Sequence, residues 1–129
     1  MSKKIILCVD DEKMVLDALI SQLQKEFLSD YNIEIAETAF DAWDIIHEAI
    51  ALHQQISIII SDWLMPIEKG DEFLIKVSKQ FPDLPLIMLS GHVDDASLQR
   101  AQNYSNLKAF IRKPWDKSEL IENIRKFAL

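Results

Sequence analysis

Along this chain, short unbroken apolar runs alternate with longer stretches in which apolar residues recur every three or four positions. Ile5 to Val9 is such a run and predicts strand one. From Met14 the period lengthens, and Leu16, Leu19, Ile20, Leu23 and Phe27 share one face of a helix ending near Phe27. Asn32 to Glu37 alternates, with Ile33 and Ile35 on one side, as a strand exposed on one face does. A second helix carries Phe40, Trp43, Ile46 and Ile50 inward. Four isoleucines in the five positions from Ile56 to Ile60 are too few for a helix and too continuous for a half-exposed strand. They predict a central strand buried on both faces, which runs out at Asp62. Helix three spans about Asp71 to Phe81, packs through Phe73 or Leu74 and Val77, and is closed by Pro82 and Pro85. Leu86 to Leu89 is strand four, ending in Ser90-Gly91, and a more polar helix follows from about Asp94 to Tyr104. Lys108 to Arg112 is strand five, stopped by Lys113-Pro114. Asp116 and Glu119 have the spacing of a capping box for a last helix that packs through Leu120, Ile121, Ile124 and Phe127.

Five strands alternating with five helices predict an α/β fold: a doubly wound, flavodoxin-like parallel sheet of order 2-1-3-4-5 with helices on both faces. At 129 residues the chain is expected to form one domain over 1–129. Its 49% hydrophobic and 27% charged composition, without repeats or low-complexity tracts, fits a compact soluble protein. Seven net negative charges argue against direct binding to nucleic acid or anionic lipid. No segment is long enough to span a membrane, and the apolar run after Lys3-Lys4 is too short for a signal peptide, so a cytoplasmic home is expected. Cys8, the one cysteine, lies inside strand one and reads as core packing. His47, His53 and His92 have no metal-ligand spacing, and Trp43 reads as core.

The chemistry lies in the residues at which the strands end. Asp10-Asp11, Asp62, Ser90 and Lys113 all fall at the carboxyl ends of strands, the edge where open α/β sheets bind ligands. Two carboxylates about 4 Å apart repel by about 4 kcal/mol at an effective dielectric of about 20, and a single lysine does not offset several such pairs. Oxygen ligands with room for water suit a hard, partly hydrated cation, so Mg²⁺ is the expected cofactor. A carboxylate beside a divalent cation, a lysine and a hydroxyl is equipped to take a phosphoryl group as an aspartyl phosphate. The cation and Lys113 would neutralise phosphoryl oxygens while Ser90 donates a hydrogen bond, and no base is needed for an ionised carboxylate. Taken singly, Asp62 could merely end a strand, and Asp10-Asp11-Glu12 could merely favour a helix N-terminus.

With these residues in this order the chain resembles, over essentially its whole length, the receiver domain of two-component response regulators. The matches are Val9-Asp10-Asp11, Asp62 with Met65-Pro66 and Gly70, Ser90-Gly91 and Lys113-Pro114. The resemblance implies that Asp62 accepts phosphate from a histidine kinase or phosphotransfer protein. It implies that Asp11, Asp62 and the Leu64 backbone carbonyl ligate Mg²⁺, with Asp10 acting through water. Ser90 and Lys113 would contact the phosphoryl group, Lys113-Pro114 would be cis, and Ser90 and Phe110 would form the switch. The face of helix four, strand five and helix five would then engage an output domain, a downstream protein or, on phosphorylation, a second copy. Phe110 lacks the hydroxyl that many relatives carry as tyrosine, and Glu68-Lys69 replaces a frequent Met-Asp. Trp115 is expected to pack against the last helix, with a partner contact as the alternative. Three other readings stand beside this one. A phosphatase built on an aspartyl phosphate would want an acid where Leu64 stands. A flavin module would want a phosphate-cradling first loop in place of Asp10-Asp11-Glu12. A degenerate receiver would lack the acids, Ser90 and Lys113.

Overall fold

The computed structural model describes residues 3–129 apart from 64 and 66–68. In chain order the elements are β1 (Lys4–Val9), α1 (Lys13–Phe27), β2 (Tyr31–Ala36), α2 (Ala39–Ala51), β3 (Ile56–Ser61), α3 (Gly70–Gln80), β4 (Leu86–Ser90), α4 (Asp95–Tyr104), β5 (Leu107–Arg112) and α5 (Lys117–Phe127). All strand pairs are parallel and the order is β2-β1-β3-β4-β5, so the expected doubly wound sheet is present. The apolar runs are continuous because both faces are covered. Leu7, Val9, Ile59 and Met88 face a core shared with residues of α2, α3 and α4, while Ile6, Cys8, Ile58, Ile60, Ile87 and Leu89 face one shared with α1 and α5. Each fully buried Leu or Ile contributes about 1.5–3 kcal/mol, so these two layers fix the strands whose ends carry the polar residues.

Several elements depart from the pattern that predicts them. The inner seam of α2 is Ala39, Ala42, Ile46 and Ala49, while Phe40 is 74% exposed, Ile50 is 49% exposed and Trp43 is half-buried. Ile5, Leu7, Val9 and Ile59 already fill that face of the sheet, so small residues let the helix backbone approach where bulky ones would not fit. Trp43 packs at the seam's flank, edge-on to Phe73 at 5.8 Å and stacked on His47 at 5.7 Å. Ile35 is 38% exposed because β2 is an edge strand. Asp116 is the N-cap of α5 but makes no side-chain cap hydrogen bond, so the capping box does not form. Both Asp116 and Glu119 are exposed, and water competes for their carboxylates. Side-chain caps appear instead at Thr38, whose Oγ1 accepts from the Asp41 amide at 3.0 Å, and at Asp94, which accepts from the Ser97 amide at 2.7 Å. Trp115 is half-buried against the α1/α5 core, and its indole N–H donates to Gln22 of α1 at 2.8 Å.

A carboxylate cluster at the carboxyl edge of the sheet

β1 and β3 are neighbours in register, Val9 opposite Ser61, so the residues just beyond them emerge together. The ladder continues one step past each strand: the Asp62 amide donates to the Val9 carbonyl at 2.9 Å and the Asp10 amide to the Ala36 carbonyl at 3.0 Å. Both backbones are thereby fixed, and Asp10 and Asp62 are 1% and 5% exposed, whereas Asp11 is exposed. One carboxylate oxygen from each of Asp10, Asp11 and Asp62 lies within 4.8 Å of the others. Lys113 arrives from β5, its amide donating to the Ser90 carbonyl at 2.9 Å, and its Nζ donates to Asp10 Oδ2 at 2.6 Å. The same ammonium lies 3.7 Å from Asp62 Oδ2. Asp10 Oδ1 accepts the Glu12 amide and Asp62 Oδ1 accepts the Trp63 amide, each at 2.9 Å. Each buried acid is thus anchored by one oxygen and turns the other toward Lys113.

Burial pushes the Asp10 carboxyl above its ordinary value, with the Asp62 charge adding to the push, against the hydrogen bonds from Lys113 and Glu12. Burial, with Asp10 nearby, also raises the Cys8 thiol to about 12, so this cysteine is inert core, as expected. Three carboxylates face one ammonium, an imbalance that a divalent cation relieves. The donor set fits one: all ligand atoms are hard oxygens, and the exposed Asp11 leaves an aqueous side for an ion that keeps part of its water. Leu64, whose carbonyl the family resemblance adds to this set, lies outside the described residues.

Ser90 is buried at 2% exposure, and its hydroxyl donates within its own turn to the His92 carbonyl at 3.0 Å. Met88 pairs with Phe110 and Ser90 with Arg112, so Ser90 and Phe110 share the α4-facing side of adjacent strands, one diagonal apart. The Phe110 ring is half-buried under the Arg112 guanidinium at 5.6 Å. Lys113-Pro114 is cis.

Sequence spacing does not reveal a second group here. The buried Trp63 indole lies 6.4 Å edge-on from His92 and 5.5 Å from Lys69 Nζ, and its N–H has no hydrogen-bond partner among the described residues. Lys69 and His92 come from different loops, and no local signal joins them. A cavity of about 400 Å³ lies at the opposite edge, where β3 begins, lined mainly by apolar residues of α2 and of the turn after α3. It is remote from the carboxylates and has no comparable convergence of charge. No helix among the described residues is long and apolar enough to cross a membrane.

Comparison with known proteins agrees with this geometry. The model of the response regulator receiver domain matches residues 6–125. The chain is 32% identical over 121 residues to the hydrogenase transcriptional regulatory protein HoxA of Cupriavidus necator, covering 94% of this chain and 23% of that protein. It is 31% identical over 123 residues to the response regulator Rre1 of Synechocystis, covering 93% of this chain and 49% of that protein. The chain thus spans between about a quarter and a half of the curated relatives it matches. Among solved structures, the signal receiver domain of an HD domain-containing protein from Pseudomonas fluorescens superposes with a TM-score of 0.87 at 25% identity, over 98% of this chain and 94% of that one. A CheY-like response regulator receiver domain protein from Methanospirillum hungatei superposes with a TM-score of 0.83 at 29% identity, over 97% and 93%. The match over nearly every element, together with the acids, serine and lysine at the strand ends, establishes that this chain belongs to the response regulator receiver domain family of two-component signalling.

Proposed function

We propose that residues 1–129 act as one receiver unit in which Asp62 is the phosphoacceptor, served by Asp10, Asp11, Ser90 and Lys113. The observation that carries this reading is the asymmetry of Asp62: Oδ1 is held by the Trp63 amide, while Oδ2 faces the Lys113 ammonium at 3.7 Å. Oδ2 is therefore the attacking atom. It forms the bond to phosphorus as the phosphorus–nitrogen bond of a phosphohistidine donor breaks, and the electron pair leaves with the imidazole. Lys113 then holds a phosphoryl oxygen, and Ser90 donates its hydroxyl to another once released from the His92 carbonyl. Asp11 and Asp62, with Asp10 acting through water, would hold Mg²⁺, which would supply charge neutralisation at the phosphoryl oxygens. Asp10 keeps Lys113 aimed at the site through its 2.6 Å hydrogen bond.

The donor is a histidine kinase or phosphotransfer protein. The readout is a face of α4, β5 and α5 engaging an output domain, a downstream protein or a second copy, in the cytoplasm. The chain is a switch that catalyses its own phosphorylation and slow dephosphorylation and turns over no other substrate. With Mg²⁺ and a small phosphodonor such as acetyl phosphate, intact mass should rise by one phosphoryl group in the wild type and stay unchanged in Asp62→Ala. The same rise in Asp62→Ala, or none in the wild type with several donors, would overturn the assignment.

A further inference from the structure

α4 is the helix with the least apolar anchorage. Its buried residues are Ser97 and Ala101, with Leu98 half-buried, whereas α1, α3 and α5 each bury several large side chains among the described residues. Its C-terminal end is tied down through Asn106, whose amide donates to Ser78 Oγ at 2.9 Å and whose side-chain amide donates to the Leu84 carbonyl at 3.0 Å, while Ser105 Oγ closes the helix's own last turn on the Ala101 carbonyl at 2.5 Å. Its middle is held by Arg100, whose Nη1 donates to Asp71 Oδ2 at 3.2 Å across 29 residues of sequence. Asp71 is the second residue of α3 and fully buried, while Arg100 is largely exposed.

Asp71 Oδ1 is also buried, with no hydrogen-bond partner among the described residues. A buried carboxylate with one oxygen engaged and the other orphaned is only partly compensated. Lifting α4 would break the ion pair but would give both oxygens water, so the closed and open arrangements are closer in free energy than a fully satisfied contact would make them. The Asp94 carboxyl is held below its ordinary value by the Ser97 amide and hydroxyl, and further by Lys69 and His92.

We propose that the Asp71–Arg100 ion pair is a latch that holds the middle of α4 on the start of α3, with Ser105–Asn106 as the pivot about which α4 swings when the latch opens. Asp71 lies two residues after Lys69, and Lys69 lies over the indole next to Asp62 in the chain, so the latch sits one packed step from the carboxylate cluster. Its link to phosphorylation rests on the function proposed above, whereas the latch itself does not.

Amide hydrogen exchange on the full chain tests this, comparing wild type, Arg100→Met and the double variant Asp71→Ala/Arg100→Met, which leaves neither an unpaired buried charge nor a new large apolar contact in place of the latch. Exchange across α4 should quicken about two- to tenfold in both variants, with α1 and β1 unchanged. High salt should quicken α4 exchange in the wild type and have no effect on the double variant, since Arg100 is open to solvent. Unchanged α4 exchange in the double variant, or an equal rise in α1, overturns the latch. Acetyl phosphate and Mg²⁺ then separate the two claims: a wild type phosphorylated on Asp62 with α4 exchange still at its resting rate overturns the link and leaves the phosphoacceptor standing.

Discussion

Asp10 carries a cost that the metal-free protein bears at neutral pH. Because burial holds its folded carboxyl above the unfolded value, its favourable contribution is complete below the ordinary carboxylate range. That contribution is lost as pH rises through the raised folded value. Asp10→Asn removes the charge and keeps one acceptor oxygen, which can serve Lys113 or the Glu12 amide but not both. Without metal at neutral pH, the variant should melt about 3–5 °C higher than wild type, the shift expected for roughly 1 kcal/mol in a domain of this size. The difference should shrink as pH falls below the ordinary carboxylate range, and Mg²⁺ should stabilise the variant less than the wild type. A variant melting lower at every pH would mean that the Lys113 ion pair and the Glu12 hydrogen bond together outweigh the burial of the charge.

At the scale of the element, the turn after α2 shows how a helix can end on an unfavoured residue. The Gln54 amide donates to the Ala49 carbonyl at 2.8 Å and the His53 amide to the Ile50 carbonyl at 3.1 Å, the paired bonds of a Schellman motif. That motif requires a left-handed residue, and His53 supplies it at φ 57°. A side chain there costs about 1–2 kcal/mol relative to glycine, partly offset by glycine's larger unfolded entropy. His53→Gly should therefore raise stability by about 0.5–1 kcal/mol in urea unfolding with an unchanged slope. A loss of stability would show that the imidazole makes a compensating contact.

For the whole molecule, the two faces of the sheet are unequal. The α1/α5 face is closed by large side chains on both helices, whereas the opposite face ends at α4, with its small buried residues and a half-buried Phe110 on the neighbouring strand. A phosphoryl group adds a charge of roughly −2 and strong acceptors at the edge both faces share. Drawing Ser90 toward it would free space beside Phe110, so the response should appear on the α4 side. Phe110→Ala should leave acetyl phosphate labelling of Asp62 within about twofold of wild type while weakening phosphorylation-dependent self-association or partner binding about fivefold or more. Binding that depends on phosphorylation as strongly as before would remove Phe110 from the coupling.

The sequence by itself determined the sheet, its order and the convergence of Asp10, Asp11, Asp62 and Lys113, because strands buried on both faces must be continuous and apolar and the residues that stop them must emerge at one edge. The tertiary structure decided what depends on neighbours distant in the chain. It turned α2 onto its alanines because the strand side chains beneath had already filled the layer. It left the Asp116 side chain in water without capping α5, required a left-handed His53, and set Lys69 and His92 around Trp63. It also joined Asp71 to Arg100, a pairing that periodicity cannot register, since an ion pair between two helices is set by their crossing and not by spacing along either one.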